Sequence, residues 1–175
     1  MARAESIVVR QLGAADAVPY RALRLSSLRN FQFAHGPDYE ESQALSVAWH
    51  GERLAHRGHY WFGAFDGGEL VGAICLRTED ARRLRHSASL RSMMVERSHQ
   101  GRGIARLLIA HLLEFARSLG FIRQITLSVT DGNTPAQRLY DAFGFEQFGF
   151  EPDSILHEGR YLARQHRQLI LTSHE

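Results

Sequence analysis

The feature that most constrains this chain is a change of hydrophobic period between residues 87 and 130. Across residues 103–119 apolar side chains recur at helical spacing, with Ile104, Leu108, Leu112, Phe115 and Leu119 on one stripe. Gly120 follows as a natural residue for the position just past a helix end. On either side the period shortens. Residues 87–95 read as a strand, and residues 124–130 alternate Ile125, Leu127 and Val129 on one face. A helix with one apolar stripe, set between two strands, buries that stripe against a sheet, so the chain is of the α/β class.

The remaining segments extend this pattern. A β-prone run at 6–11 precedes a helix over 14–33, in which Val18, Leu25 and Leu28 keep rough helical spacing. Gly36-Pro37-Asp38 interrupts it, and a second helix over 44–56 is expected to bury Leu45, Ala48, Trp49 and Ala55, with Leu54 off that face and Gly58 closing it. Residues 60–65 and 70–76 flank Asp66-Gly67-Gly68-Glu69, where two glycines supply the positive φ of a tight hairpin. Thr134-Pro135-Ala136-Gln137 has the form of a capping box with proline at the first helical position, which predicts a short helix to Phe143 ended by Gly144. Residues 145–150 and 161–171 read as two last strands. The expected order is β-α-α-β-β-β-α-β-α-β-β, with a mostly antiparallel central sheet.

Length and composition narrow the partners. With 175 residues, 44% hydrophobic content and no repeat or low-complexity linker, one domain over residues 1–175 is expected. All 21 basic residues are arginine, yet 19 acids offset them to a net charge of +2, too little for the field of a nucleic-acid binder. No run of 18 apolar residues and no signal-peptide core is present, which points to a cytoplasmic protein without a membrane partner. The single cysteine, Cys75, lies in an apolar run and reads as a core residue. The ten histidines show no zinc-like spacing, so no metal is expected. The charge run over residues 77–86 reads as a solvated turn.

The chemistry concentrates where strand 87–95 meets the long helix, at Glu96-Arg97-Ser98-His99-Gln100-Gly101-Arg102-Gly103-Ile104-Ala105. Small residues let such a loop turn tightly and open the helix with its first N–H groups free, a positive dipole end suited to a pyrophosphate. A dinucleotide fingerprint would need a third glycine where Arg106 stands, and a Walker loop would need a lysine, which the chain lacks.

This segment resembles the acyl-CoA signature Q/R-x-x-G-x-G/A of the GNAT superfamily of N-acetyltransferases, with Gln100, Gly103 and Ala105 at its fixed places. Asn133, Ala136, Leu139, Tyr140, Gly144 and Phe145 likewise match the family's second motif, N-x-x-A-x-x-L-Y-x-x-x-G-F. The resemblance implies a GNAT-like fold and an acyl-CoA-dependent N-acyltransferase. Its expected reaction moves acetyl from acetyl-CoA to a primary amine of a small molecule or peptide, by direct attack in a ternary complex. It further implies that the main chain of Met93, Met94 and Val95 binds the pantetheine arm, and that Gln100, Gly101, Arg102, Gly103, Ile104 and Ala105 present N–H donors to the pyrophosphate. Asn133 and Ala136 would line the pantetheine side, and the Tyr140 hydroxyl would protonate the leaving thiolate, a step a phenylalanine cannot perform.

Two departures stand out. Many members carry a glutamate on the strand before the loop, whereas residues 89–94 hold no carboxylate. The ribosomal-protein alanine acetyltransferases carry a glutamate five residues before the motif asparagine, where this chain has Ser128. No general base is therefore assigned from the sequence, and a non-catalytic acyl-CoA sensor stands as the alternative. The acceptor is expected between the loop holding Phe31, Phe33, Asp38, Tyr39, Glu40 and Glu41 and the last hairpin. Residues 161–171, taken as an edge strand, would allow a homodimer.

Overall fold

The computed structural model describes residues 7–34 and 36–171. Strand β1 (Val8–Gln11) leads through a single 3-10 turn into helix α1 (Ala17–Asn30), followed by α2 (Tyr39–Ala44) and α3 (Val47–Ala55). Strands β2 (His59–Asp66), β3 (Glu69–Thr78) and β4 (Ser87–Val95) precede the long helix α4 (Ile104–Ser118). Then come β5 (Gln124–Thr130), α5 (Thr134–Ala142), β6 (Glu146–His157) and β7 (Arg160–Ile170). The expected first strand reached back to Ser6, which lies outside the described residues.

All seven strands form one sheet in the order β1-β2-β3-β4-β5-β7-β6, antiparallel throughout except for the parallel pair β4–β5. The mixed α/β fold predicted from the sequence is present, and the Gly67-Gly68 hairpin forms with both glycines at positive φ. Each face of the sheet carries its own core. On one face α4 buries Ile104, Leu108, Ile109, Leu112, Leu113 and Ala116 against Val71, Ile74, Leu76, Ile125, Leu127 and Val129. Each large aliphatic so covered contributes about 1.5–3 kcal/mol. Gly72 makes the contact close, because a Cβ there would stand 3.0 Å from a Leu108 methyl and 3.1 Å from an Ile104 methyl. On the other face α1 and α3 cover Leu12, Trp61, Ala73, Cys75 and Met94. Burial pushes the Cys75 thiol up to about 12, so it stays protonated and unreactive.

Three expectations need correction. The helix expected over 44–56 forms as Val47–Ala55, started by Ser46, which accepts a hydrogen bond from the Trp49 N–H at 3.1 Å, but a further short helix, Tyr39–Ala44, occupies the expected loop and ends at the extended Leu45. The buried face of α3 is also the other one: His50, Gly51 and Leu54 face inward while Trp49 is exposed beside Arg53. Gly51 explains the choice, since it brings α3 within van der Waals distance of Ala14 and Ala17. The last strand is not an edge. β7 lies between β5 and β6, and β6 forms that edge of the sheet, so the pairing surface proposed for a second copy is already occupied.

Candidate active site

The parallel pair β4–β5 holds only at Ser87↔Gln124, Ala88↔Ile125 and Ser89↔Thr126. Beyond these, residues 90–95 and 127–130 diverge and leave a gap in the middle of the sheet. A bulge on β4 accompanies the divergence. Ala73 pairs with Met94 and Cys75 with Arg91, so Ser92 and Met93 oppose Ile74 alone, and Ser92 takes φ +53. The extra residue inverts the alternation of the strand. Ala88 and Leu90 face the α4 core, whereas after the bulge Met93 and Val95 take that side and Met94 joins the core under α1. The main chain of Met93, Met94 and Val95 thus borders an opening instead of a fifth strand.

The loop from Glu96 to Gly103 closes the end of this gap. Glu96 accepts from the Arg97 N–H, and a 3-10 turn over Arg97–His99 leads to Gln100, whose side-chain amide donates to the Val95 carbonyl at 3.4 Å. Gly101 and Gly103 have φ +77 and +78, and a Cβ at either would meet no protein atom within 4 Å. Backbone conformation, not protein crowding, therefore selects glycine, and the space beside both is open. Gly103 caps α4 without a side-chain acceptor, so the N–H groups of Ile104 and Ala105 remain orphan donors at the helix start. Arg102 bonds Asp66 at 2.6 Å, with His99 at 3.4 Å from the same carboxylate oxygen. Arg97 and Arg106 are exposed, and Arg106 sits 6.0 Å above the Phe143 ring, linking α4 to α5.

Asn133 stands at the far end of β5 and starts α5. Its side-chain oxygen accepts from the Ala136 N–H at 3.4 Å, so Asn133 is the cap and Thr134 the first helical residue, one position from the capping box read from the sequence. The amide NH2 of Asn133 makes no bond in this cap. Asn133, Ala136 and Tyr140 share one helix face. Tyr140 is buried, edge-on to Phe145 at 5.9 Å, and burial pushes its hydroxyl up to about 12. It therefore keeps its proton through the neutral range.

The opposite face of the gap carries a group that motif reading passed over. Ser128 and His166 are register partners on β5 and β7, and the Ser128 Oγ lies 2.9 Å from His166 Nδ1. The other ring nitrogen, Nε2, lies 3.2 Å from a Glu151 carboxylate oxygen on β6. The three come from separate strands with no shared sequence motif; only strand pairing assembles them. On the same face Thr130 donates to the Phe33 carbonyl at 2.8 Å, which anchors the segment after α1 over β5. The charge run at 77–86 lies at the other end of the sheet, where Glu79, Asp80 and Arg85 border a polar cleft with Arg57, Tyr60 and Phe121. Among the described residues no three His, Cys, Asp or Glu side chains cluster so as to hold a metal ion.

A sheet opened at a parallel pair, with a glycine loop and helix start across the opening, is the arrangement that the resemblance to N-acetyltransferases leads one to expect, and comparison with known proteins agrees. The model of the acetyltransferase (GNAT) family matches residues 22–145, and the chain belongs to that family. An uncharacterized N-acetyltransferase of Bacillus subtilis, YsnE, is 31% identical over 106 residues, covering 55% of this chain and 65% of that one. The match thus spans less than two thirds of that relative's own length. A GNAT-family acetyltransferase from Streptococcus pneumoniae superposes with a TM-score of 0.87 at 19% identity, over 95% of this chain and all of the other. The yncA protein of Salmonella typhimurium, solved with its cofactor acetyl-CoA, superposes with a TM-score of 0.79 at 21% identity, over 97% of this chain and 96% of that one. Both likenesses concern the fold.

Proposed function

We propose that this protein transfers an acetyl group from acetyl-CoA to a primary amine of a small molecule or peptide. The observation that carries this reading is the β4–β5 gap ending on a loop of open, positive-φ glycines and orphan helix donors. The residues fit the cosubstrate. The orphan N–H groups of Ile104 and Ala105, with the open glycine loop before them, suit a pyrophosphate, the main chain of Met93, Met94 and Val95 along the gap suits the amides of pantetheine, and the spare amide of Asn133 offers a donor across the gap. Acetyl-CoA supplies an activated thioester. The chain supplies position and protons: the two strands hold the thioester between them, and the amine enters from the face of the sheet opposite α4. Tyr140 donates to the sulfur as it leaves. Cys75, buried and protonated, takes no part, which favours direct attack over an acyl-cysteine.

Calorimetry with CoA, followed by thiol release from acetyl-CoA with a panel of amines, tests the reading. Micromolar CoA binding and turnover with at least one of an alanyl tripeptide amide, spermidine, an aminoglycoside or glutamate are expected. Absence of CoA binding would overturn the assignment, and binding without thiol release from any amine would favour a sensor.

A further inference from the structure

The reaction needs a base, and neither strand bordering the gap carries a carboxylate on the acceptor face. β4 offers Ser89, Arg91 and Ser92 there, and β5 offers Thr126, Ser128 and Thr130. An amine reaching the thioester arrives largely as ammonium and must lose a proton first. Ser128 is the next residue on its face of β5 after the last β4–β5 pair at Thr126, so its hydroxyl stands where the gap opens. Behind it the hydrogen-bonded line runs through His166 to Glu151.

Resting on the acetyl-transfer reading, we propose that Ser128, His166 and Glu151 form the proton relay that deprotonates the acceptor amine. The Ser128 oxygen takes a proton from the ammonium while its own passes to His166 Nδ1, and the resulting imidazolium is held by the Glu151 carboxylate and yields its Nε2 proton to solvent. The amine nitrogen then bonds the thioester carbon and the C–S bond breaks. The thiolate takes the Tyr140 proton, and the second proton shed by nitrogen restores the tyrosine. One proton leaves through the relay for each acetyl group moved.

Three features of the surroundings suit the task. Gly149 on β6 pairs with His166, and a Cβ there would stand 3.4 Å from the histidine Cβ and 3.6 Å from its ring, at ordinary contact distance, so β6 packs closely beside the imidazole. The Ser154 hydroxyl nearby, the His166 ring and the charge of Arg164 together hold the Glu151 carboxylate below its ordinary range. Glu151 is about half exposed, which gives the proton an exit to water. Glu151 and Glu146 from β6 and Arg164 from β7 are the charged groups of the neighbouring strands on this face; β5 presents Gln124 and the hydroxyls of Thr126, Ser128 and Thr130, and Phe148 approaches the ring at 6.2 Å.

The test measures acetyl transfer from acetyl-CoA to an alanyl tripeptide amide, spermidine and glutamate across pH, in wild type and in His166→Gln, Ser128→Ala, Ser128→Thr and Glu151→Gln. CoA affinity and circular dichroism serve as controls of folding. His166→Gln should lower kcat about 100-fold, the usual scale for a general base, with the KM for acetyl-CoA within about twofold. Its acid limb should give way to the ionisation of the free amine. Ser128→Ala should fall similarly and Ser128→Thr recover most of the loss. Glu151→Gln should lower kcat by less than His166→Gln, because the ring keeps its place beside Ser128 but loses the acceptor at Nε2. Wild-type rates and pH profile in a folded His166→Gln would overturn the relay, as would an acetyl adduct on Ser128 after acetyl-CoA alone, which would make the serine a nucleophile. A wild type that binds CoA and acetylates none of these three amines and no aminoglycoside would remove the transfer reading and the relay with it.

Discussion

Under the proposed reaction, Tyr140 would be structural and chemical together. Its ring fills the α4 core beside Phe145, and the same burial holds its hydroxyl in the protonated form. Tyr140→Phe keeps the packing and removes the donor. Turnover should fall about 10- to 100-fold while acetyl-CoA binding by calorimetry changes less than about threefold. Gly103 makes the complementary case. Its φ of +78 costs an alanine about 1–2 kcal/mol, yet a Cβ there meets no protein atom within 4 Å. Gly103→Ala should lower thermal stability modestly and weaken CoA binding at least tenfold, because the added methyl enters the open side of the loop. A variant with wild-type CoA affinity would separate this loop from the pyrophosphate.

Among the elements, α5 is the one whose start would do two jobs under the proposed reading. Asn133 uses its carbonyl oxygen to cap the helix and leaves its NH2 free. Asn133→Ser keeps an acceptor for the cap but no amide donor, so stability should hold while CoA affinity falls. Asn133→Ala should lose both, with about 1 kcal/mol of stability by denaturant titration. If the serine variant bound CoA normally, the asparagine would be a cap alone. The motif pointed to Asn133, Ala136 and Tyr140 because their spacing of three and four is visible along the chain. The frame of the cap was not, since Thr134 and Asn133 are both good capping residues and the choice depends on where β5 ends. The short helix Tyr39–Ala44 and the inward face of α3 were hidden for a similar reason: six residues carry too little periodicity to read, and the close approach of Gly51 to Ala14 and Ala17 shows which side of α3 faces inward.

For the whole molecule, the second core carries an acid sensitivity. His50 is buried between Tyr20 and Trp49, and neither ring nitrogen has a hydrogen-bond partner. Burial first, then Arg21, Arg53 and Arg24, hold its pKa below the ordinary value, and burial does the same for His59. Below pH about 6.5 the unfolded chain takes up protons that the folded chain resists, so stability is complete above that value and declines as pH falls toward the folded pKa. Asp16 adds a loss at still lower pH, since its hydrogen bond from Arg10 keeps it ionised in the fold. Urea midpoints should fall between pH 7 and 5, and His50→Leu should flatten that slope and leave stability at pH 7 equal or higher. An unchanged slope would show that His50 takes its proton without cost.

The sequence by itself determined the α/β class, the hairpin at Gly67-Gly68, the extent of α4 and β5, and the two motifs, because each rests on periodicity, turn chemistry or fixed spacing within a few residues. Tertiary structure alone decided where β7 lies, how the bulge at Ser92 inverts β4, and that Ser128, His166 and Glu151 meet. Those outcomes depend on register between strands far apart in the chain. A slip of one residue turns every side chain to the other face, and no local pattern records it.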